Sequence, residues 1–458
     1  MLKGAACGIG YLALADLLSR AYGVPKTISP SVPPGEPGAE APHHYQSPLI
    51  PKPPHFAAKA KRVIFLFMQG APSHVDMWDY KPKLIADDGK NMMGRTLLAP
   101  QWKFKQHGKS GMWISDLFPN IAQHTDDICM INSMNNDNPA HAQATVMMHT
   151  GSTRFVRPSM GSWALYGLGT ENQNLPGFIT INPPGGVGGA QNYGSGFLPA
   201  AYEGTRIDGA NPKGMADLAS VLPAQSQRKQ IDLIQSMNRD LLRRSGDNAQ
   251  IEGVIESFEL GFRMQSTVPS VMDLSKESPK TLEQYGIGAG PTDTFGRQCL
   301  MARRFAEAGV RFIEVAHTGW DQHKLLREKH ASNAAAVDKP VAGLLADLKQ
   351  RGLLKDTLVL FGGEFGRTPG AQNRDGRDHN AKGYSMWMAG GGVKPGLTYG
   401  QTDDYGYKAV VNPVHVHDLH ATILSLLGLD HERLTYRYAG RDFRLTDVFG
   451  NVQKDMIG

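Results

Sequence analysis

Apolar runs that alternate with helical patterns are the main structural signal along this chain. Six short, mostly apolar runs predict β-strands that are buried on both faces. They span residues 61–68, 127–133, 178–181, 310–315, 357–361 and 385–388. Apolar residues at helical spacing predict helices over 341–354 and 417–427. The alternation of strands and helices predicts an α/β fold, with a mostly parallel sheet sandwiched by helices.

The stretch from about residue 212 to 308 has a different character. It is polar and largely helical in pattern, with frequent arginine and glutamine. We interpret it as a helical insertion that covers one end of the sheet and faces the substrate. The folded domain is expected to span residues 60–448, with this insertion inside it.

The first 59 residues differ from the rest of the chain. Residues 4–18 form a small-residue, moderately apolar run that is too short and too rich in glycine to span a membrane. This run resembles the apolar part of a signal peptide, and Met1-Leu2-Lys3 resembles the end of a twin-arginine motif. No paired arginines precede it, which leaves a start further upstream or a loss of export as alternatives.

Residues 25–54 hold ten of the 29 prolines, which disfavours helices and inner strands. We therefore expect an export leader over 1–24 and a linker over 25–59. The expected protein is periplasmic or otherwise exported, with no stable membrane span once the leader is removed.

Composition excludes some classes of function. The net charge is only +5, and basic residues form no stripe with interleaved aromatic residues, so we expect no nucleic-acid partner. Cys129 and Cys299 lie in apolar patterns and are expected to be buried free thiols, and Cys7 lies in the predicted leader. No cysteine cluster has the spacing of a zinc site.

Four short motifs rich in metal-ligand residues are the strongest functional signal. They occupy residues 69–76, 319–323, 363–368 and 376–379, each just after or close behind an apolar run. Ligands in α/β proteins gather at the carboxyl ends of parallel strands, so we expect these side chains to meet at one edge of the sheet. The candidate metal ligands are His74, Asp76, Asp321, His323, Glu364 and His379.

Each candidate also has an ordinary structural interpretation. His74 and Asp76 could cap a helix after the first strand, and Glu364 could simply pair with Arg367. A surface histidine is the default for His379, which lies in a polar stretch. The constellation, rather than any single residue, favours metal binding.

The motifs, taken in order, resemble those of a known family. They lie at residues 70–76, 148–151, 158–163, 166–169, 319–323, 365–369, 376–379 and 438–446. The chain resembles the domain of unknown function 1501 family, a group of exported, sulfatase-like proteins in the alkaline phosphatase superfamily. The resemblance covers roughly residues 60–448 and implies the fold of that superfamily.

The resemblance also implies a site with two divalent metal ions (zinc, manganese or calcium) that clamps a phosphate or sulfate ester. It implies that Asp321, His323 and His379 bind one ion. Arg367 and Arg377 would bind the ester anion. The chain departs from the superfamily pattern at Gln69, where relatives carry an aspartate, so either His74 or Asp76 substitutes for it or the second ion is lost.

A second departure concerns the nucleophile, which relatives place at the start of a helix. That position falls near His141 here, with Thr145 as the alternative, and no cysteine is present for a formylglycine. Our first hypothesis is an exported metal-dependent hydrolase of phosphate or sulfate esters, acting on a small molecule or a polysaccharide. The second is a non-catalytic, metal-binding relative that binds anionic glycans at the cell surface. A redox protein is the weakest hypothesis, because the glycine-rich turn at 185–189 lacks the helix spacing of a dinucleotide site.

Overall fold

The computed structural model describes residues 47–92, 94–209, 222–245, 249–288 and 290–458. The predicted leader and the first part of the predicted linker lie outside these residues and stay predictions. No described helix is long and apolar enough to cross a membrane. From Ser47 to Gly458 the chain forms one structural unit.

Nine of the described strands form one mostly parallel sheet, and all six predicted strands belong to it. The strands of this sheet are β1 Arg62–Met68, β6 Ile128–Asn135, β7 Phe178–Ile181, β8 Thr205–Ile207, β9 Phe312–His317, β10 Thr357–Gly362, β13 Tyr384–Ala389, β14 Leu397–Tyr399 and β17 Val414–His415. Their order in the sheet is β14-β6-β13-β10-β1-β9-β7-β8, with β17 also pairing with β6. Only β13 runs antiparallel to its neighbours, β10 and β6. The predicted α/β class with a mostly parallel sheet is confirmed.

The remaining described strands form two-stranded hairpins outside this sheet. They are β2 Asn91–Met92 with β3 Arg95–Thr96, β4 Phe104–His107 with β5 Met112–Ser115, β11 Gly366–Gln372 with β12 Gly376–Asn380, β15 Gln401–Thr402 with β16 Ala409–Val411, and β18 Tyr436–Tyr438 with β19 Arg441–Phe443. The β11–β12 hairpin directly follows the strand β10 and its short loop. It therefore extends the chain over the carboxyl edge of the sheet.

Strand β1 explains why the sheet needs a layer on each side. All seven of its residues are buried. Successive side chains of a strand point to opposite faces, and Val63, Phe65 and Phe67 enter one hydrophobic core. Ile64, Leu66 and Met68 enter the other. A strand that is apolar on both faces requires helices on both sides of the sheet.

Helices supply those two layers. The described α-helices are α1 His74–Met77, α2 Pro82–Ala86, α3 His141–Thr150, α4 Met160–Leu168, α5 Ala224–Ser245, α6 Ala249–Met272, α7 Pro279–Gln284, α8 Asp293–Glu307, α9 Leu326–Gln350 and α10 Val416–Leu426. Helices α3, α4 and α10 contribute to the core that holds Phe65. Helices α8 and α9 contribute to the core that holds Ile64.

The stretch predicted as an insertion contains the helices α5 to α8. Its last helix, α8, buries Phe295, Cys299 and Leu300 against the sheet, so this helix belongs to the core layer rather than to a cap. Helix α9 begins 15 residues before the predicted start and contains Pro340. Cys129 and Cys299 are buried free thiols, as expected.

Candidate metal centre

Four neighbouring chain segments meet at the carboxyl edge of the sheet. Strands β9, β1 and β10 lie side by side and parallel, so the loops that follow them leave the same edge. Strand β6 runs in the same direction because two antiparallel pairings separate it from β10. Helix α3 follows β6 and begins at His141. The sheet therefore brings together the segments at 69–70, 319–323, 363–364 and 141.

Three imidazoles and one carboxylate converge at this edge. His141, Asp321, His323 and His379 each offer one ligand atom, and these atoms all lie within 4.8 Å of one another. The Nε2 atoms of His323, His141 and His379 lie 3.0, 3.2 and 3.6 Å from Asp321 Oδ1. Zinc–nitrogen bonds are about 2.0–2.1 Å long, so small side-chain movements would bring all four groups onto one ion.

The opposite ring nitrogen of each histidine faces an oxygen acceptor. His141 Nδ1 lies 2.6 Å from Glu364 Oε1, and His323 Nδ1 lies 2.5 Å from Gln372 Oε1. His379 Nδ1 lies 2.6 Å from the backbone carbonyl oxygen of Pro139. An oxygen of this kind accepts a hydrogen bond, so each Nδ1 donates its proton. In the neutral ring this leaves a lone pair on each Nε2.

Among the described residues, no hydrogen-bond donor satisfies the lone pairs of two of these rings. His141 Nε2 and His379 Nε2 are buried and make no hydrogen bond of good geometry there, although Asp321 lies close to both. A neutral Nε2 and a carboxylate oxygen both present lone pairs, so they do not satisfy each other. A cation between them satisfies both, and histidine metal ligands are commonly oriented by such Nδ1 acceptors. The donor set therefore fits one divalent ion.

The electrostatics of the site also favour positive charge at this point. Burial lowers the pKa of His141, but the nearby Asp321 and Glu364 carboxylates outweigh burial and raise the pKa to about 9, so in the absence of a metal ion a proton takes the place of the cation on this ring. Burial raises the pKa of Asp321, but the nearby His141, His379 and Arg367 side chains hold its pKa well below the usual range. The carboxylate stays ionised, and part of it remains open to solvent, since 46% of its side chain is exposed.

Arg367 supports Asp321 from the protein interior. Its side chain is fully buried, and its guanidinium donates to Asp321 Oδ1 at 2.5 Å and to the carbonyl oxygens of Gly70 and Ala71 at 2.5 and 2.9 Å. All of these acceptors belong to the protein. The expectation that Arg367 binds the ester anion is therefore corrected: its donors are committed to orienting Asp321 and the loop after β1.

Glu364 lies behind His141 rather than among the converging ligands. Its side chain is fully buried, and its two oxygens accept the Gly70 amide at 3.0 and 3.2 Å. Its own carbonyl oxygen accepts a hydrogen bond from Asn136 Nδ2 at 2.8 Å. We correct the expectation that Glu364 is a ligand, because both of its oxygens already hold His141 and the β1 loop. The alternative pairing of Glu364 with Arg367 has no hydrogen bond among the described residues.

His74, Asp76 and Arg377 are not brought to the cluster. Asp76 and Arg377 form an ion pair at 2.7 Å, and both side chains are fully buried. Arg377 also donates to the carbonyl oxygens of Pro369 and Leu98, each at 3.0 Å. Asp76 therefore neutralises a buried arginine instead of an ion. Arg377 has no donor directed at the cluster for an ester anion.

His74 has a separate structural role. Its Nε2 lies 2.8 Å from the carbonyl oxygen of Gly406, and burial lowers its pKa. The ring is neutral and packed inside the protein between the loop after β1 and the segment around Gly406. His74 is not among the residues whose ligand atoms converge in the cluster, so its role at a second ion stays a prediction.

Helix α3 carries the two residues considered as nucleophiles. His141 is its first residue, and its Nε2 belongs to the cluster. Thr145 lies one turn further along and is fully buried, so its hydroxyl does not reach solvent. The residue before the helix, Ala140, has no side-chain oxygen to cap the first turn. The positive end of the helix dipole therefore lies at the edge of the cluster, and no capping side chain of its own neutralises it.

Sequence reasoning missed the groups that orient two of the histidines. Gln372 lies in a hairpin that has no strand-like pattern, and Pro139 acts through a backbone carbonyl, which has no sequence signature. Phe365 stacks on His141, with ring centroids 4.9 Å apart, and contacts His379 at 4.8 Å. Of these groups, only Phe365 lay inside a motif that the sequence singled out.

The fold and this site together define an α/β protein with a candidate metal centre at the carboxyl edge of its sheet. Residues 60–457 match the model of the family described as "Protein of unknown function (DUF1501)". The chain belongs to that family, which confirms the resemblance given by its motifs. No curated protein matches the chain at a significant level.

Solved structures with a similar fold share little sequence with this chain. The structure titled Ps i-CgsB has 13% identity and a TM-score of 0.37, with 81% of this chain and 72% of that chain covered. Alkaline phosphatase from the Antarctic bacterium TAB5 has 12% identity and a TM-score of 0.36, covering 81% and 99%. The lipoteichoic acid synthase LtaP from Listeria monocytogenes has 10% identity and a TM-score of 0.34, covering 87% and 78%.

Proposed function

We propose that this protein is an exported, metal-dependent hydrolase of phosphate or sulfate esters. The observation that carries the proposal is the convergence of three histidine Nε2 atoms on the Asp321 carboxylate, with each Nδ1 held by an oxygen acceptor. Export rests on the leader and linker patterns of residues 1–59, which lie mostly outside the described residues.

The donor set favours one ion of zinc over manganese or calcium. Three imidazoles suit zinc, whereas manganese and calcium prefer oxygen ligands. The resemblance to the superfamily implies two ions, but His74, Asp76 and Glu364 have other partners here. We therefore propose a single ion held by His141, Asp321, His323 and His379.

The protein's own groups prepare the site for an anionic ester. A divalent ion there supplies Lewis acidity to the ester oxygen and to the attacking water. Asp321, partly exposed, keeps one face of the cluster open to solvent. The uncapped first turn of α3 presents positive electrostatic potential to the ester anion. Neither His141 nor Thr145 is free to act as a nucleophile, so the proposal assigns attack to water.

A second candidate function is supported by the finding that neither His141 nor Thr145 is free to attack an ester. A metal-binding protein that holds an anionic glycan without cleaving it needs the same ion and the same open face. It does not need a group that attacks the ester. The two functions differ in turnover and not in metal binding.

The test compares the purified full chain with Asp321→Asn and with Asp116→Asn as the control. Asp116 pairs with Lys105 at the surface, where 42% of its side chain is exposed. Metal content is measured after dialysis, and hydrolysis of p-nitrophenyl phosphate and p-nitrophenyl sulfate is measured before chelation, after it and after readdition of zinc or manganese. We expect about one ion per chain in the wild type and in the control. Asp321→Asn should lose both the ion and the turnover.

Other outcomes separate the alternatives. Retention of the ion by Asp321→Asn would contradict the site assignment. Turnover that survives complete chelation would contradict metal dependence. An ion that is bound and lost as expected, without turnover of either ester, would favour the glycan-binding function. Two ions per chain in the wild type would show that a second site was missed.

A further inference from the structure

A pocket of about 500 Å³ borders the helix that begins at His141. Ala142 and Gln143, which directly follow His141, line it, and so does Val146 one turn later. Residues of a helix rise about 1.5 Å each, so the pocket lining begins within one turn of His141, which belongs to the candidate metal centre. Its volume lies within the range of about 300–1,000 Å³ that is usual for small-molecule sites.

A glycine-rich loop also lines the pocket, and the fold requires glycine at neither Gly185 nor Gly186. Gly185 and Gly186 lie outside the left-handed backbone region, and a Cβ on either residue would meet nothing within 4 Å. Neither backbone strain nor close packing therefore explains these two glycines. Both line the pocket, where a side chain would take up the free space. Bare backbone at this point allows a ligand to approach the main chain closely.

The other lining groups indicate the chemistry of that ligand. Arg154 is exposed and has no ion pair with a described carboxylate, and no acidic residue lines the pocket. Gln143 and Gln191 offer both donors and acceptors, which suits hydroxyl groups. Phe155, with 64% of its surface exposed, presents an apolar face. An arginine, two amides and an exposed ring match a polyhydroxylated ligand that carries negative charge.

We propose that this pocket is the subsite for the alcohol portion of the ester, and that this portion is an acidic sugar. Arg154 would bind an anionic group other than the ester that is cleaved. The glutamines would bind hydroxyl groups, and the glycine loop would lie against the sugar ring. This inference rests on the proposed function for the ester bond itself, but the binding of the sugar can be measured without turnover.

The test uses the metal-loaded full chain and the variants Gly186→Leu and Arg154→Gln. Gly261→Leu is the matched control, because Gly261 also has free space around a Cβ and lies on helix α6, which does not line the pocket. Probes are a disulfated disaccharide and fructose 1,6-bisphosphate, with p-nitrophenyl phosphate and p-nitrophenyl sulfate as small esters. Affinity is measured by titration calorimetry, and kcat and KM are measured wherever a probe is hydrolysed.

We expect Gly186→Leu to weaken binding of the sugar probes by about tenfold or more, because the added side chain occupies the subsite. Its kcat/KM for the small aryl esters should stay within about twofold of the wild type. Arg154→Gln should weaken binding of the sugars that carry two anionic groups and leave binding of glucose 6-phosphate, which carries one, nearly unchanged. Gly261→Leu should match the wild type throughout.

Equal affinity of all variants for the sugar probes, or no binding of these probes by the wild type, would overturn the subsite. If the sugar probes fail in this way but the small aryl esters are still hydrolysed, only the subsite is overturned and the proposed function stands. Conversely, sugar binding that Gly186→Leu weakens, without turnover of any ester, would support the subsite and contradict the hydrolase. If Gly186→Leu does not fold, Arg154→Gln still tests the subsite, because Arg154 lies at the surface and its replacement should not disturb folding.

Discussion

His141 Nδ1 lies 2.6 Å from Glu364 Oε1, and the two Glu364 oxygens also accept the Gly70 amide. One buried carboxylate thus joins helix α3, the loop after β1 and the loop after β10. It fixes the imidazole so that Nε2 points at Asp321, 3.2 Å away. The metal affinity of the centre should therefore depend on a residue that does not itself touch the ion.

Replacement of Glu364 by glutamine tests this dependence. A glutamine places an NH₂ group where Oε2 now accepts the Gly70 amide, and it removes the negative charge beside the His141 ring. We expect Glu364→Gln to lower metal affinity by about 10–100-fold while the chain still folds. Affinity is measured by competition with a chelator, with Glu432→Gln as the control. Glu432 pairs with Arg444, and 67% of its side chain is exposed. Unchanged affinity would remove Glu364 from the support of the centre.

Gly376 provides a steric test of the same centre. A Cβ on Gly376 would collide with the backbone carbonyl of His323, although its backbone lies outside the left-handed region. The alanine side chain should therefore push the His323 segment away from the other ligands. We expect Gly376→Ala to reduce metal affinity on the order of tenfold. Gly261→Ala, where a Cβ has free space, is the control and should bind metal as the wild type does. Equal affinity in both variants would show that His323 is dispensable.

The buried pair of Asp76 and Arg377 separates structural from ligand roles. Asp76→Ala leaves a buried guanidinium without its counter-ion, which is expected to cost about 3–5 kcal/mol of folding free energy. Asp404→Ala breaks an exposed pair with Lys83, where 71% of the Asp404 side chain is exposed, and should leave the folding free energy nearly unchanged. Urea denaturation measures both variants. Metal content of the folded Asp76→Ala protein should equal that of the wild type, and a stable variant that has lost the ion would restore Asp76 as a ligand.

The sequence predicted the sheet well because its strands are apolar on both faces. Such runs stand out from the polar segments around them, and all six became strands of the central sheet. The start of α9 was missed because Pro340 and the polar residues before it look like a helix boundary, yet the helix continues to Leu326. The β11–β12 hairpin was missed because its glycine, proline and charged residues read as a loop.

The site was predicted less completely than the sheet. The end of a strand shows at which edge of the sheet a side chain lies, but it does not show which other residues that side chain contacts. Asp321, His323 and His379 converge at the expected edge of the sheet. His74 and Asp76 leave β1 at that edge too, but the short helix α1 turns both of them into the interior. The charge of Arg377 then decides the role of Asp76, and only the folded chain shows that the two residues meet.

His149 and Glu314 provide a pH test of the contact between α3 and the sheet. His149 Nε2 lies 3.1 Å from Glu314 Oε2, and both side chains are almost fully buried. His149 Nδ1 lies 2.7 Å from the carbonyl oxygen of Thr145, one turn earlier on the helix. Burial lowers the pKa of His149, but the facing Glu314 carboxylate outweighs burial, and the net pKa is raised.

A raised folded-state pKa sets the direction of the pH effect. The unfolded histidine has a pKa of about 6.5, so the pair contributes its full stability below that pH and loses it as the pH rises through the folded value. The pH dependence of urea denaturation is compared for the wild type, His149→Gln, Glu314→Gln and the double variant. The coupling free energy of this cycle should be largest at pH 6 and should decrease toward pH 9. A coupling that is constant or grows with pH would show that His149 is neutral in the folded protein.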